Sequence, residues 1–375
     1  MDDIQLKDFI MMKKSLVALA VLAAACSAQA ADIQLYGRVD TGLAYTSTDS
    51  DKVGTDAVNS FEMKSGFTTG NRWGIKGGED LGNGMKVGFV LESGFESDDG
   101  TLGQGGRLFG RESTVSLAGD FGKVYAGRMN TLASDGGSMG LLGATSVIGN
   151  AMDILSMKYS TGSTYDRYDN LLGYVSPTFA GFTFSAQYAM GANGEENKAS
   201  TDRYGALGAQ YAAGPLTLVG VAEYYVWGHA VGVEADNGLA FQFGGNYDLG
   251  MVQPYAKVAY FKDMKTAKVL ESNFWEAADY AGSAYVEGYG LELGAKTPVA
   301  GGTAFAAVSY RDTEDTKDSA IEFKRFSVGA GYTYPFSKRT NVYGALGYAQ
   351  EKGEGIADER TPSRYVAGVG LVHKF

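Results

Sequence analysis

The chain has 375 residues, including 54 glycines, six prolines, one cysteine and two histidines, and a formal net charge of −11. Glycine at about 14% penalises helices, 12% aromatic residues is too rich for disorder, and the acidic balance argues against a nucleic-acid binder. One cysteine excludes a disulfide framework and a thiolate zinc site, and two histidines leave little for metal or His-based catalysis, so no cofactor is expected.

The first element is a targeting segment. Met12-Lys13-Lys14 is a basic stretch, residues 15–25 are rich in Ala, Leu and Val, and Ala28-Gln29-Ala30 is a small-residue cleavage signal. The apolar run is too short to cross a ~30 Å hydrocarbon core, so residues 1–30 read as an upstream extension plus a cleaved signal peptide. Translation starts at Met1, Met11 or Met12. Cys26 follows a faint lipoprotein box, but Leu22 lies one position too early for it. The remaining 31–375 form one domain, and no later apolar stretch approaches 18 residues, which excludes membrane-spanning helices.

From there the pattern has period two. Ile33, Leu35, Val39, Leu43 and Tyr45 share one face; Gln34, Tyr36, Arg38, Asp40 and Gly42 share the other. The same alternation runs through 182–190, 216–226 and 325–334, and it closes the chain at Tyr365, Ala367, Val369, Leu371, His373 and Phe375. The segments run nine to about fifteen residues, longer than soluble strands and long enough to cross a bilayer at a tilt. Short connections fall at 78–83, 118–122, 177–181, 213–215, 247–250, 298–302 and 334–338. Long polar ones fall at 47–60, 97–106, 130–165, 191–202, 228–236, 263–283, 312–319 and 351–362. Eight long loops and seven short turns separate sixteen strands, with both termini on the short-turn side. The fold class is all-β: a sixteen-stranded antiparallel transmembrane β-barrel.

Closure follows from the solvent. In lipid every backbone N–H and C=O must be paired within the protein, so the sheet has no free edge to spare. The apolar face then turns to lipid and the polar face lines a bore wide enough for water. Glycines on the polar phase (Gly42, Gly74, Gly88, Gly208, Gly329, Gly368, Gly370) read as features of a wide, wet bore. Phe179, Tyr188, Tyr334, Phe336 and Phe375 sit near strand ends, where interfacial aromatic girdles belong.

Several motifs occur in a fixed order: Leu35-Tyr36-Gly37-Arg38-Val39-Asp40-Thr41-Gly42, Gly70-Asn71-Arg72-Trp73-Gly74-Ile75-Lys76-Gly77, Glu79-Asp80-Leu81-Gly82-Asn83-Gly84 and Leu91-Glu92-Ser93-Gly94-Phe95. They continue through Gly119-Asp120-Phe121-Gly122, Gly127-Arg128, Tyr174-Val175-Ser176-Pro177-Thr178-Phe179-Ala180-Gly181-Phe182 and the terminal Gly370-Leu371-Val372-His373-Lys374-Phe375. Together they resemble Gram-negative general diffusion porins, nearest the betaproteobacterial and neisserial type, over essentially the whole of 31–375. The resemblance implies an outer-membrane, passive channel for ions and small hydrophilic solutes, assembled as a homotrimer among lipid and lipopolysaccharide. It also implies that Phe375 ends the signal read by the barrel-assembly machinery.

In that family the third outer loop, here 130–165, folds into the lumen and sets acids against wall arginines. Matched motif by motif, the pore constriction is Arg38, Arg72, Arg111 and Arg167 on the wall, with Asp135 and Asp153 on the loop. Arg38 and Arg72 fall on the polar phase of their strands; Arg111 shares phase with Val115 and Leu117, and Arg128 with Val124 and Ala126, so a bulge or a misassignment is expected there. More wall arginine than loop acid implies a local anion preference. The outer-loop acids, such as Asp49, Asp51, Asp312, Glu314, Asp315, Glu351 and Glu354, pull the other way, but exposed charge is screened over ~8 Å at physiological salt.

The remaining motifs carry little. Gly136-Gly137-Ser138-Met139-Gly140 matches a hydrolase elbow without its helix or a matched histidine, since only His229 and His373 exist. The loop at Asp49-Ser50-Asp51 has Ser60 where a calcium loop needs Glu, and Asp166/Asp169 and Glu195/Glu196 are read as solvated acids, so no catalytic residue is assigned. The alternative is a substrate-selective or adhesive outer-membrane barrel. A sugar channel would need a line of lumen aromatics, and Tyr36, Tyr125, Tyr225 and Tyr255 are spread over distant strands.

Overall fold

The computed structural model describes residues 32–147, 167–192, 195–196, 198, 200–228, 236–276, 279–280 and 284–375. Seventeen strands form one sheet: β1 Gln34–Asp49, β2 Val58–Ser65, β3 Arg72–Gly82, β4 Met85–Gly94, β5 Glu112–Gly119 and β6 Gly122–Asn130. Then follow β7 Arg167–Val175, β8 Phe182–Ala189, β9 Arg203–Ala213, β10 Leu216–Val226, β11 Gly238–Tyr247 and β12 Gln253–Lys265. The last are β13 Tyr285–Val299, β14 Gly302–Asp315, β15 Glu322–Pro335, β16 Thr340–Glu354 and β17 Ser363–Lys374.

The seventeen segments occupy sixteen positions. On one side β1 pairs with β17; on the other its outer half pairs with β2 and its inner half with β3. So β2 and β3 are one barrel strand interrupted by an excursion at 66–71. Every other neighbour is antiparallel and sequential. The barrel closes at the termini, where Gly37 and Phe375 exchange backbone hydrogen bonds of 3.0 and 3.1 Å. Among the described residues the connections lie near where the alternation puts them, but several strands run into the expected spans: β1 to Asp49, β3 to Gly82, β12 to Lys265, β14 to Asp315 and β16 to Glu354.

Strand alternation sorts the side chains. Leu35, Leu43 and Tyr45 of β1 are exposed outward, while Asp40, Gly42 and Ala44 are buried. Phe179, Tyr188, Tyr334, Phe336 and Phe375 are all exposed, as a lipid-interface aromatic must be. The inside is not an empty bore. A buried apolar cluster joins third-loop Leu132, Met139 and Leu142 to wall Met129, Tyr204 and Tyr225 and to sixth-loop Val269, Phe274 and Trp275.

Two of the expected lumen glycines, Gly208 and Gly368, act differently from the expectation. A Cβ at Gly208 would collide with Leu141, one at Gly173 with Met139, and one at Gly368 with Phe67. Gly208 and Gly368, with Gly173 beside them, are sockets for segments folded inward rather than spacers for water.

Candidate functional site

The third outer loop leaves β6 and crosses the bore. Gln187 on β8 holds its start, donating to Asn130 O and accepting from Leu132 N, both at 2.9 Å. Ser138 donates its N–H and hydroxyl to Glu112 on β5. Further on, Asn246 of β11 donates to Ala144 O at 2.6 Å, and Ser146 donates to Glu292 of β13 at 2.8 Å. Glu292 also pairs with Lys257 of β12 at 2.9 Å, both buried. Residues 131–147 thus bridge two sides of the barrel. Ser138, the serine of the elbow-like motif, is a tether; His373 faces Thr340 on the wall, and His229 lies outside the described residues.

The wall cations gather near β1 to β7. Arg38 and Arg72 both donate to Thr69 Oγ1, and Arg72 Nε donates to Gly70 O at 3.0 Å. Arg111 precedes the first residue of β5, so the pleat does not fix its direction; it turns to Glu92, which also accepts from Tyr36 OH at 3.0 Å. Arg128 meets a true bulge. β7 carries an extra residue opposite it, with Asn170 at φ 54°, and across this irregularity Arg128 pairs with Asp169 at 2.7 Å. Arg167 opens β7 in electrostatic reach of Arg111, Arg72 and Glu92. Asp153 lies outside the described residues.

Two arrangements result. On the β3–β7 side the arginines are interleaved with acids that strand phase alone did not single out: Glu92, Glu112 and Asp169. Next to it, reached through Arg38, a cavity of about 510 Å³ opens between the loop and β1, β13 to β17, lined by Arg38, Lys296, Lys374 and Asp135. Lys296 and Lys374 were missed; both are on the polar phase of their strands, but only closure of the barrel brings β13 and β17 to Arg38.

A second inward loop was also missed. In the sixth outer loop Glu271 accepts from Arg325 at 2.6 Å and Arg364 at 3.2 Å, and Arg325 also donates to Glu351 at 2.9 Å. Arg311 bonds Val269 O at 2.6 Å and pairs with Glu351. Arg311, Arg325 and Glu351 are fully buried, so Glu351 is not a mouth charge that attracts cations. Burial alone would raise the Glu271 carboxyl, but Arg325, Asn273 and Arg364 outweigh it and hold it below the usual range. Nearby, Arg360 pairs with Asp279 at 2.6 Å and lies 4.6 Å above the Trp275 ring centre.

Of the four lumen tyrosines on distant strands, Tyr225 joins a line of other aromatics. Tyr168, Tyr204, Tyr225 and Trp227 form a line with ring centres 4.8–5.2 Å apart. All four are almost fully buried among the loop residues, so the line anchors loops and offers no surface to a passing solute.

A closed antiparallel barrel with an apolar outer face, and charged residues around a loop folded inside, is an outer-membrane channel. The chain matches the Gram-negative porin family over residues 18–354 and belongs to it. It is 32% identical to an outer membrane porin protein of Bordetella pertussis, covering 97% of this chain and all of that one. It is 34% identical to outer membrane porin protein 32 of Delftia acidovorans, covering 96% and 95%. Among solved structures it is similar to the anion-selective porin from Comamonas acidovorans, with a TM-score of 0.69 at 26% identity, covering 92% of this chain and all of that one. The protein is an outer-membrane general diffusion channel, and its relatives are channels rather than enzymes.

Proposed function

We propose that this channel prefers small anions, and that the preference is set where the third loop meets the wall. The carrying observation is the cavity lined by Arg38, Lys296 and Lys374 and, among the described residues, by one acid, Asp135. Three cations against one carboxylate give that opening a local positive potential, which favours anion entry. Arg72, Arg111 and Arg167 add to the field from beside Arg38, reduced by Glu92, and Asp153 belongs to the same loop. The similarity to an anion-selective porin supports this reading.

The assembly proposals are residue-specific. Phe375, directly after the strand that closes the barrel, is the assembly signal; residues 1–30 are an upstream extension and a cleaved signal peptide. The working form is a homotrimer set in lipid and lipopolysaccharide; an outer membrane protein of Vibrio cholerae with the same fold has a trimer form. The test is purified protein in a planar bilayer under a salt gradient. An anion-signed reversal potential and conductance closing in threes are expected. Cation-signed reversal would reject the charge argument, and single-step closure would reject the trimer. Absence of conductance from a folded barrel would favour the adhesive alternative.

A further inference from the structure

We propose that Asp40 is the positioning residue of the pore, and that the excursion 66–71 is a second constriction element set opposite the third loop. The inference rests on the reading that Arg38 and Arg72 border the passage. An interruption in a barrel strand removes ladder partners from backbone groups inside the membrane, where an unpaired group is costly. One carboxylate repairs this one. Asp40 is fully buried, and its Oδ2 accepts from Thr68 N at 2.8 Å, Thr68 Oγ1 at 2.6 Å and Thr69 N at 2.8 Å. Its Oδ1 accepts from Tyr343 OH at 2.8 Å. The Asp40 backbone completes the clasp: its N–H donates to Asn71 Oδ1, and its carbonyl accepts from Gly66 N at 2.9 Å.

The clasp has a purpose beyond closing a gap. It turns Thr69 Oγ1 to the point where it accepts from both Arg38 and Arg72, and leaves Gly70 O to accept from Arg72 Nε. Phe67 pins the other side of the excursion, buried at 6.0 Å from the Tyr343 ring centre in the socket left by Gly368. Thr68 and Thr69 then line the same cavity as Arg38 and Asp135. Two guanidinium groups thereby share a neutral hydroxyl whose place is set by Asp40, while Glu92 stands 3.9 Å from Arg72 alone of the two.

The test separates position from charge. Thr69→Val removes the acceptor without altering any charge, and Thr69→Ser keeps it. Asp40→Asn removes a negative charge, which by charge alone raises the anion-to-cation permeability ratio. The clasp predicts the opposite sign for Asp40→Asn, and a drop of about twofold or more for Thr69→Val, with Thr69→Ser at the wild-type value. Folding is checked by heat-modifiable migration, and the ratio by reversal potential in planar bilayers. A wild-type ratio in Thr69→Val, or a raised ratio in folded Asp40→Asn, overturns the proposal. If Asp40→Asn does not fold, the two Thr69 variants decide it. A conducting wild type without anion preference sinks the selectivity reading alone, because Thr69→Val must still shift the reversal potential towards cations.

Discussion

The guanidinium of Arg111 donates its Nε–H to Oε1 of Glu92 at 2.7 Å. Arg72 stands 3.9 Å from the same oxygen, so one carboxylate serves two wall arginines. Two of the wall arginines that the motifs single out, Arg72 and Arg111, are therefore partly neutralised by one acid.

Glu92→Gln should expose that stored charge. An opposite charge at about 4 Å in a water-like dielectric is worth about 1 kcal/mol, a scale of about fivefold in local anion occupancy. Reversal potentials should therefore move in the anion direction. No change would mean that solutes do not sense the Arg72–Arg111 side.

Lys296→Gln and Lys374→Gln each remove a cation from the cavity that Asp135 also lines. Each should lower the anion-to-cation permeability ratio, and the double variant should lower it further. Lys262, an exposed rim residue paired with Glu287 at 3.6 Å, is the control. Its neutralisation should leave the ratio unchanged, since rim charge is screened over ~8 Å at physiological salt. Equal effects at the rim and in the cavity would place the selectivity filter elsewhere.

The sixth-loop lock has a defined pH window. The Glu271 carboxyl is held below its ordinary value by Arg325, Asn273 and Arg364 against the cost of burial. A depressed acid contributes stability that is fully present above its unfolded value of about 4.3 and is lost as pH falls through its folded value. Protease resistance of the loop should hold at neutral pH and fail only in acid below about pH 4. Glu271→Gln should give the acid-like behaviour at pH 7, at a cost of about 3 kcal/mol for leaving Arg325 and Arg364 short of a partner. Cleavage rates that do not differ between the variant and the wild type at pH 7 would refute the lock.

Leu207 lies in the middle of β9 and is 68% exposed on the outer face. In lipid, Leu207→Arg should cost about 2–4 kcal/mol and lower the fraction of heat-modifiable folded barrel. In water the same change would be nearly neutral. Unchanged folding in liposomes would mean that this face does not meet the hydrocarbon core.

Much of this protein was determined by the sequence alone. Period-two alternation, the two classes of connection and their strict alternation specify sixteen positions, both termini on one side, and which residues of β1 face in. These are local properties: a side chain's face follows from its place in the pleat, and a loop's length is written in its residues. Arg38 and Arg72 were legible for the same reason. Only the tertiary structure decided the rest. Arg111 escapes its phase because it precedes the strand, and Arg128 meets a bulge in the partner strand that its own sequence does not encode. Lys296 and Lys374 join Arg38 only when the barrel closes, bringing β13 and β17 to β1. The broken second strand, the clasp at Asp40 and the sixth loop buried on Arg325 depend on pairings between residues up to 303 positions apart. A pattern read along the chain reports direction, whereas a site depends on distance, and distance is set by closure.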